Sequence, residues 1–439
     1  MNSQNDFTVA IVGGGLVGVL CAIGLGRAGI KVDVFEAATK YDDIGAGIGT
    51  GPNTVRIFEA MGILPDFLAA LEDHNVMPLL KFIRGADPHD EIFKYTDDVF
   101  KDGGLAVHRA AFLKALASLL PASVHSHFKK RCVALESSEN GRPSVRFTDG
   151  SVHEADLIVG ADGLKSVVRA QVLGEQGERL VDTGSRTYRQ IVPMQRLLDA
   201  GVKEELLRPQ SHIWLGSDKY FISYPVVNGT LLNVAAFTLD HAHEMVPAGS
   251  QASWVTPAST SELLSAFKDY GHDARAILGC MDAPNKWSLH VLHPQLETLL
   301  GAAPDKETDV KNNRLSVNAV LVGDAAHAML PHLGAGAGTG IEDAYVLTSL
   351  LAHPQTRLAN LPEVLRAYEA VRLPRIADIA SRSARAGDVY HGYGPSGATD
   401  DGRRQDLRLQ WQEIWHRDLS LDVSQAVAAL QQDGHFKRE

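Results

Sequence analysis

Residues 7–37, FTVAIVGGGLVGVLCAIGLGRAGIKVDVFEA, alternate between apolar runs and glycine. FTVAIVGGG predicts a buried strand, LVGVLCAIGLGRAG a helix capped by Gly29, and KVDVFEA a second strand. A strand–helix–strand unit of this kind crosses over right-handed and belongs to a parallel sheet with helices on its faces. The start of the chain therefore predicts an α/β fold of the Rossmann type.

The glycines of this stretch have the spacing of a dinucleotide-binding turn. Gly13, Gly15 and Gly18 match G-x-G-x-x-G directly after the strand, and Glu36 ends the second strand, where it can accept a hydrogen bond from a ribose hydroxyl. The start of the helix offers free N–H groups to a pyrophosphate. Glycines that serve only close packing would have the same spacing, but Glu36 at the end of the second strand favours a bound dinucleotide. The motif does not separate NAD from FAD.

Composition narrows the class of protein. The chain has 439 residues, which predicts two closely joined domains, and a net charge of −11, which argues against nucleic-acid binding. The cysteines, Cys21, Cys132 and Cys280, are too widely spaced for a disulfide framework or a metal site, so no metal is predicted and a cytoplasmic location is expected. No run apart from the glycine-rich start approaches a membrane span, and no membrane association is predicted.

Three further motifs follow in order along the chain. VHRAAF contains Arg109, IVGADGLKSVVR contains Asp162, and VLVGDAAHAMLPHLGAGAG contains Gly323 and Asp324. Together with the first turn they resemble the FAD-dependent aromatic hydroxylases, the class A flavoprotein monooxygenases of the para-hydroxybenzoate hydroxylase fold. The resemblance extends from Val9 to the C-terminal WQEIWHRDLSLD.

The resemblance implies how FAD would be held by two glycine-rich elements. Asp324 would meet the ribityl and pyrophosphate region, and a helix from about Gly340 would direct its positive end at the flavin. Arg109 and Asp162 would also contact the cofactor, and the stretch 45–49 would line the flavin's mobile position. The predicted cofactor-binding residues are Gly13, Gly15, Gly18, Glu36, Gly47, Arg109, Asp162, Asp324, Pro331, Gly334, Gly336 and Ala337.

The same resemblance implies a domain division. Residues 1–180 would form the first part of the FAD-binding domain, with short substrate-domain strands near 75–105. A mostly antiparallel β-sheet substrate domain would follow at 181–290, then the second FAD-binding part at 291–375 and a C-terminal helical region at 376–439. Residues 392–406 are expected to form a loop between helices.

The substrate residues are predicted by likeness to two branches of the family. Arg189 matches an arginine near the substrate in both salicylate hydroxylases and fungal dearomatising hydroxylases. Tyr224 is typical of the dearomatising branch, whereas Tyr220 stands where that branch has histidine. Arg189, Tyr224 and His332 are the predicted catalytic residues, and Tyr220 and Phe237 complete the predicted pocket. A surface ion pair for Arg189 and structural hydrogen bonds for Tyr224 and His332 remain alternatives.

The implied activity is hydroxylation of a small phenolic ring through a flavin C4a-hydroperoxide. NADH or NADPH would bind transiently, because no second G-x-G-x-x-G follows a predicted strand to hold a resident nicotinamide cofactor, and O₂ would be the oxidant. Decarboxylative hydroxylation of a hydroxybenzoate, as in salicylate hydroxylases, is preferred to dearomatisation of a resorcinol. A non-catalytic flavin-binding protein is the alternative of another class. Dimers are common among such folds, but no sequence feature fixes an oligomeric state.

Overall fold

The structure is a computed structural model. It describes residues 6–42, 47–71, 80–95, 103–138, 141–208, 210–240, 242–248, 254–301, 315, 317–408 and 410–438, and the backbone of 75–76. The strands of these ranges are, in chain order, β1 Thr8–Val12, β2 Lys31–Phe35, β3 Gly47–Thr50, β4 Asn75–Val76, β5 Leu80–Arg84, β6 Glu91–Lys94, β7 Leu105–His108, β8 Val124–His127, β9 Cys132–Ser137, β10 Pro143–Phe147, β11 Val152–Glu154, β12 Leu157–Gly160, β13 Leu180–Pro193, β14 Ser211–Leu215, β15 Lys219–Val226, β16 Leu231–Thr238, β17 Val246–Pro247, β18 Val255–Pro257, β19 Asn285–Leu292 and β20 Ala319–Leu321.

The helices of the described ranges lie mainly at the start and in the last third of the chain. They are α1 Leu16–Arg27, α2 Pro52–Ala60, α3 Leu64–Ala70, α4 Arg109–Ser118, α5 Val167–Leu173, α6 Met194–Asp199, α7 Thr260–Ala266, α8 His272–Gly279, α9 Asp324–His327, α10 Gly336–Leu351, α11 Leu361–His391, α12 Asp400–Leu407, α13 Gln412–Trp415 and α14 Leu419–Gln432. No helix within the described ranges combines the length and apolar character that crossing a bilayer requires.

A parallel sheet carries the predicted dinucleotide turn. Its strand order is β20–β12–β1–β2–β8, and every strand pair in it is parallel. Helix α1 returns the chain from β1 to β2 and ends at Arg27, with Ala28 as its C-cap; Gly29 follows with a φ of +81°, as expected of the glycine predicted to cap it. The carboxyl ends of β1, β12 and β20 therefore lie side by side at one edge, where ligands bind in such sheets.

A larger, mostly antiparallel sheet forms the second layer. Its order is β18–β19–β13–β16–β15–β14–β5–β6, with β17 beside β13, and β14 and β5 pair in parallel. The strands expected near 75–105 belong to two sheets. β5 and β6 join the larger sheet, whereas β7 pairs with β3 on one side and with β4 on the other. The α/β fold class with an inserted antiparallel sheet is confirmed.

Two features of the C-terminal region differ from expectation. Helix α11 continues through residues 375–376, so the predicted domain boundary falls inside one helix. The expected loop at 392–406 is shorter, because α12 begins at Asp400, where the Thr399 hydroxyl caps the helix by accepting from the Gly402 N–H at 3.1 Å. The domain division as a whole stays a prediction.

Candidate functional site: a cofactor edge and a buried arginine

The three glycines of the first turn have different neighbours. A Cβ on Gly13, whose φ is +107°, would lie 2.3 Å from the Ala161 carbonyl oxygen, and one on Gly18 would lie 2.0 Å from the Gly13 carbonyl oxygen. A Cβ on Gly15 would meet nothing within 4 Å among the described residues. Gly13 and Gly18 thus allow close packing, whereas Gly15 leaves the start of α1 open to a ligand.

Glu36 lies beside this turn at the end of β2. Its Oε2 accepts from the Gly14 N–H at 2.7 Å, and its Oε1 accepts from the Ala38 N–H at 2.6 Å. These bonds hold the carboxylate at the rim of the turn, which is the position that the ribose contact requires.

The two aspartates at the ends of β12 and β20 have different surroundings. Asp162 Oδ1 accepts from the Ser166 hydroxyl at 2.5 Å, and its Oδ2 accepts from the Val167 and Val168 N–H groups at 2.7 and 3.1 Å. Burial raises the pKa of Asp162 despite these bonds. Asp324 is exposed and begins α9. Asp162 therefore accepts hydrogen bonds from the first N–H groups of α5, whereas Asp324 is available to a ligand. The cofactor contact of Asp162 stays a prediction.

The loop at residues 330–337, the glycine loop, leads into α10. The Gly334 N–H donates to the Pro331 carbonyl at 2.9 Å, and Gly334 has a φ of +59°. Helix α10 begins at Gly336 and not near Gly340 as predicted. Gly340 lies inside the helix, and a Cβ there would come within 2.5 Å of Val17 Cγ2. Gly336 and Ala337 therefore occupy the open first turn of the helix, and a Cβ on Gly336 would lie 4.0 Å from Asp324 Oδ1.

A buried cluster of charges, which sequence reasoning missed, fixes α10 to the end of β20. Asp343 accepts from the Gly323 N–H at 3.0 Å, from His327 Nε2 at 2.6 Å and from Arg372 Nε at 2.9 Å. Burial alone would raise the pKa of Asp343, but His327 and Arg372 lower it overall. The cluster joins the turn before Asp324 to the helix after the glycine loop.

The predicted substrate residues meet on one face of the larger sheet, here called the front face. In the β15–β16 pair Tyr220 lies opposite Phe237 and Tyr224 opposite Asn233. Arg189 on β13 lies opposite Ala235, which shares its face with Asn233 and Phe237 because side chains alternate along a strand. Leu333 and Ala335 of the glycine loop belong to the same apolar cluster as Tyr220 and Phe237.

Arg189 is a partly buried cation with few partners. Its Nη2 donates to the Gly47 carbonyl at 3.4 Å, and its Nε is buried with no hydrogen-bond partner in the described structure. Burial lowers the pKa of Arg189, Tyr224 opposes that effect, and Arg109, at the start of α4, lowers the pKa further. Because burying a charge without a partner is costly, this arrangement favours an anion beside Arg189.

Gly47, the first residue of β3, lies against the side chains of Tyr224 and Asn233. Its N–H donates to Asn233 Oδ1 at 3.2 Å, and a Cβ there would lie 2.8 Å from the Tyr224 hydroxyl oxygen. Burial raises the pKa of Tyr224, against the attraction of Arg189, so its hydroxyl is a donor at neutral pH. Residues 45–46 of the predicted flavin-lining stretch lie outside the described residues. Sequence reasoning missed Asn233, whose signal was an amide in an otherwise apolar strand.

His332 and Tyr220 form a buried pair between the glycine loop and the front face. The Tyr220 hydroxyl lies 2.8 Å from His332 Nδ1, and its ring stacks on Phe237 with centroids 4.6 Å apart. Burial, with His391 nearby, lowers the pKa of His332 to about 3. An imidazole with this pKa is a poor base at neutral pH, which favours the structural hydrogen bond for His332; its catalytic role stays a prediction. Tyr220 directs its hydroxyl at His332.

Comparison with known proteins agrees with this arrangement. A family model described as an FAD binding domain matches residues 6–188 and 307–383. A salicylate hydroxylase of Pseudomonas putida is 36% identical over 98% of this chain and 96% of its own, and the FAD-dependent monooxygenase pigN of Monascus ruber is 33% identical over 95% of each chain.

A solved structure described as a salicylate hydroxylase substrate complex superposes with a TM-score of 0.82 at 28% identity, covering 97% of this chain and 98% of the other. The open glycines at positions 15 and 334 and the exposed Asp324 fit the FAD that the family binds. The resemblance predicted from the motifs is confirmed: this chain belongs to the FAD-dependent aromatic hydroxylases, which are flavoprotein monooxygenases.

Proposed function

We propose that this monooxygenase hydroxylates a hydroxybenzoate with loss of its carboxylate; two of its relatives are named salicylate hydroxylase. The observation that carries the proposal is Arg189, a partly buried cation whose Nε has no partner within the described residues. A guanidinium binds a carboxylate with two parallel hydrogen bonds, and a substrate carboxylate would supply the acceptors that Arg189 lacks. The apolar side chains around it favour an aromatic ring.

FAD would be held at the edge of the parallel sheet. Gly13, Gly15 and Gly18 would receive the pyrophosphate, Glu36 the ribose, and Asp324 the ribityl region. The glycine loop, with Pro331, Gly334, Gly336 and Ala337, would lie against the flavin ring, with Gly47 opposite and Arg109 nearby. When bound, FAD accepts a hydride from NADH or NADPH and activates O₂ for transfer of one oxygen atom.

Tyr224 would orient the phenolic oxygen of the substrate. Its hydroxyl is a donor at neutral pH and lies close to Arg189, so one substrate can meet both side chains if its hydroxyl and carboxylate are adjacent on the ring. Salicylate has this arrangement. A tyrosine here also favours the second candidate, a dearomatising hydroxylase of a resorcinol, in which Arg189 and Tyr224 would both serve a phenolate.

A comparison of ring substituents tests the proposal. Salicylate, benzoate and phenol would each be added to the holoenzyme with NADH, and NADH oxidation would be followed at equal concentrations. We expect salicylate to stimulate oxidation at least about tenfold more than either analogue, because each analogue leaves a buried polar group unpaired. Equal stimulation by phenol and salicylate would remove the carboxylate from the proposal.

Replacing Tyr224 with phenylalanine should slow hydroxylation more than flavin reduction. Loss of a hydrogen bond to an anionic oxygen costs about 1.5 to 3 kcal/mol, or roughly 10- to 100-fold in the rate of product formation. Stopped-flow measurement would separate the two half-reactions. Tyr188→Phe is the matched control, because that hydroxyl donates to Glu262 at 2.8 Å on the opposite face of β13. Equal slowing of both half-reactions in Tyr224→Phe would contradict the assigned role.

His332 should make stability depend on pH through its low pKa. An unfolded chain carries histidine with a pKa of about 6.5, so below that pH it binds a proton that the folded protein does not. The stabilising contribution is therefore complete above about pH 6.5 and is lost as the pH falls towards 3.

The variant His332→Asn keeps an acceptor near Tyr220 and removes the titration. Between pH 6.5 and 4.5 we expect the free energy of unfolding of the wild type to fall by about 2 to 3 kcal/mol more than that of the variant. Denaturant titrations at several pH values would measure the difference. Parallel pH profiles for the two proteins would show that His332 titrates normally.

We also propose a cytoplasmic location and transient binding of the nicotinamide cofactor. Cys21, Cys132 and Cys280 are all buried and free, as in proteins of a reducing compartment. Within the described residues, one G-x-G-x-x-G lies between a strand and the helix that follows it, and the proposed FAD contacts occupy it.

A further inference from the structure

The backbone of Leu333, in the centre of the glycine loop, is held by two side chains from the C-terminal region. Its carbonyl accepts from Trp411 Nε1 at 3.1 Å, and its N–H donates to the Ser383 hydroxyl oxygen at 3.3 Å. The Ser383 hydroxyl in turn donates to the Leu330 carbonyl at 2.6 Å. The backbone of the glycine loop is thus oriented by residues 50 or more positions away in the sequence.

The ring of Trp411 connects the glycine loop, through Trp415, to the segment that follows β3. It stacks on Trp415 with centroids 5.3 Å apart and rings 18° from parallel, and the edge of Tyr95 packs against it at 5.1 Å. A Cβ on Gly51, directly after β3, would lie 2.3 Å from Trp415 Cδ1. The tryptophan pair therefore touches the segment after Gly47 and the glycine loop at once.

Arg375 fixes this tryptophan pair to helix α10. Its Nη1 and Nη2 donate to the carbonyls of Glu413 and Ile414 at 3.0 and 2.9 Å, and Nη2 also donates to Glu342 Oε1 at 2.9 Å. Glu342 is fully buried on α10. The segment between the two tryptophans is therefore tied to the helix that follows the glycine loop.

We propose that Trp411 is a positioning residue for the flavin. By holding the Leu333 carbonyl it fixes the glycine loop against the front face, so that the flavin ring meets the substrate in a dry, rigid site. In coupled turnover one atom of O₂ enters the product and the other leaves as water. When the loop is loose, water enters and both atoms leave as H₂O₂, with NADH oxidised and no product formed.

The test compares Trp411→Phe with Trp214→Phe. Trp214 is an equally buried tryptophan whose Nε1 donates to the Ser223 hydroxyl at 3.0 Å, but it packs behind the sheet, away from the front face. FAD affinity would be measured by flavin fluorescence on titration of the apoprotein, and the yield of H₂O₂ per NADH would be measured with substrate present.

For Trp411→Phe we expect FAD binding about tenfold weaker and a severalfold larger share of H₂O₂, because an unpaired buried carbonyl costs about 1 to 3 kcal/mol. Trp214→Phe should match the wild type in both. Wild-type behaviour of Trp411→Phe, or the same changes in Trp214→Phe, would overturn the proposal.

A measurement on the unmodified sequence covers the case in which Trp411→Phe does not fold. With ¹⁵N-labelled indoles in the wild type, assigned by elimination from single variants of the other tryptophans, FAD should shift the Trp411 N–H signal and leave that of Trp214 unchanged. An unshifted Trp411 signal at saturating FAD would overturn the proposal.

Discussion

The variant Gly15→Leu is expected to remain folded and to lose FAD. Gly15 has a φ of −74°, which leucine adopts without strain, and a Cβ there meets nothing within 4 Å of the described residues. The side chain would instead fill the space in which the pyrophosphate approaches the first N–H groups of α1. Since hydrogen bonds to charged groups contribute about 1.5 to 3 kcal/mol each, loss of two weakens FAD binding about 100-fold or more.

Gly18→Ala is the contrasting variant at the same turn. Its Cβ would lie 2.0 Å from the Gly13 carbonyl oxygen, a backbone atom that cannot move aside cheaply. We therefore expect the apoprotein itself to lose stability, by about 1 to 3 kcal/mol or more. Thermal unfolding of both apoproteins and FAD titration would separate the two effects. A yellow Gly15→Leu protein with FAD affinity like the wild type would contradict the pyrophosphate assignment.

Arg189→Met should weaken substrate binding about 100-fold while the substrate-free protein keeps or gains stability. The methionine fills the volume but removes a partly buried cation that has one weak hydrogen bond and an unpaired Nε. Replacing such a charge by an apolar group is neutral or stabilising by about 1 to 3 kcal/mol. Loss of a bidentate contact to a carboxylate should raise KM about 100-fold, with FAD retained.

Arg186→Met on the same strand is the matched control. Arg186 pairs with Asp182 at 2.8 Å and points to the opposite face of β13, away from Tyr224. We expect that variant to keep its KM. The assignment would be wrong if Arg189→Met bound salicylate as the wild type does, or if its apoprotein were several kcal/mol less stable, which would indicate a structural arginine.

Local patterns in the sequence predicted the parts of the fold that depend on neighbouring residues. The first βαβ unit and the cap at Gly29 are determined within short segments, and the structure has both. The start of α10 was placed too late, because a run of glycines has weak helix propensity, and tertiary packing on Val17 supports the helix instead.

The residues of the candidate site also differ in whether a local sequence pattern could predict them. Glycine spacing predicted the cofactor edge, and family likeness predicted Arg189 and Tyr224. Asn233 contacts Gly47 across 186 positions and Trp411 contacts Leu333 across 78, so neither contact has a local signature. The low pKa of His332 also depends on burial that no single segment reveals.

The fate of the substrate carboxylate shows whether the enzyme carries out a decarboxylative hydroxylation. The holoenzyme would be given NADH, O₂ and salicylate labelled with ¹³C in the carboxylate, and the products would be measured by mass spectrometry. We expect one catechol, one ¹³CO₂, one NAD⁺ and one water for each salicylate consumed. Catechol absent, with salicylate intact and all oxidised NADH recovered as H₂O₂, would contradict it.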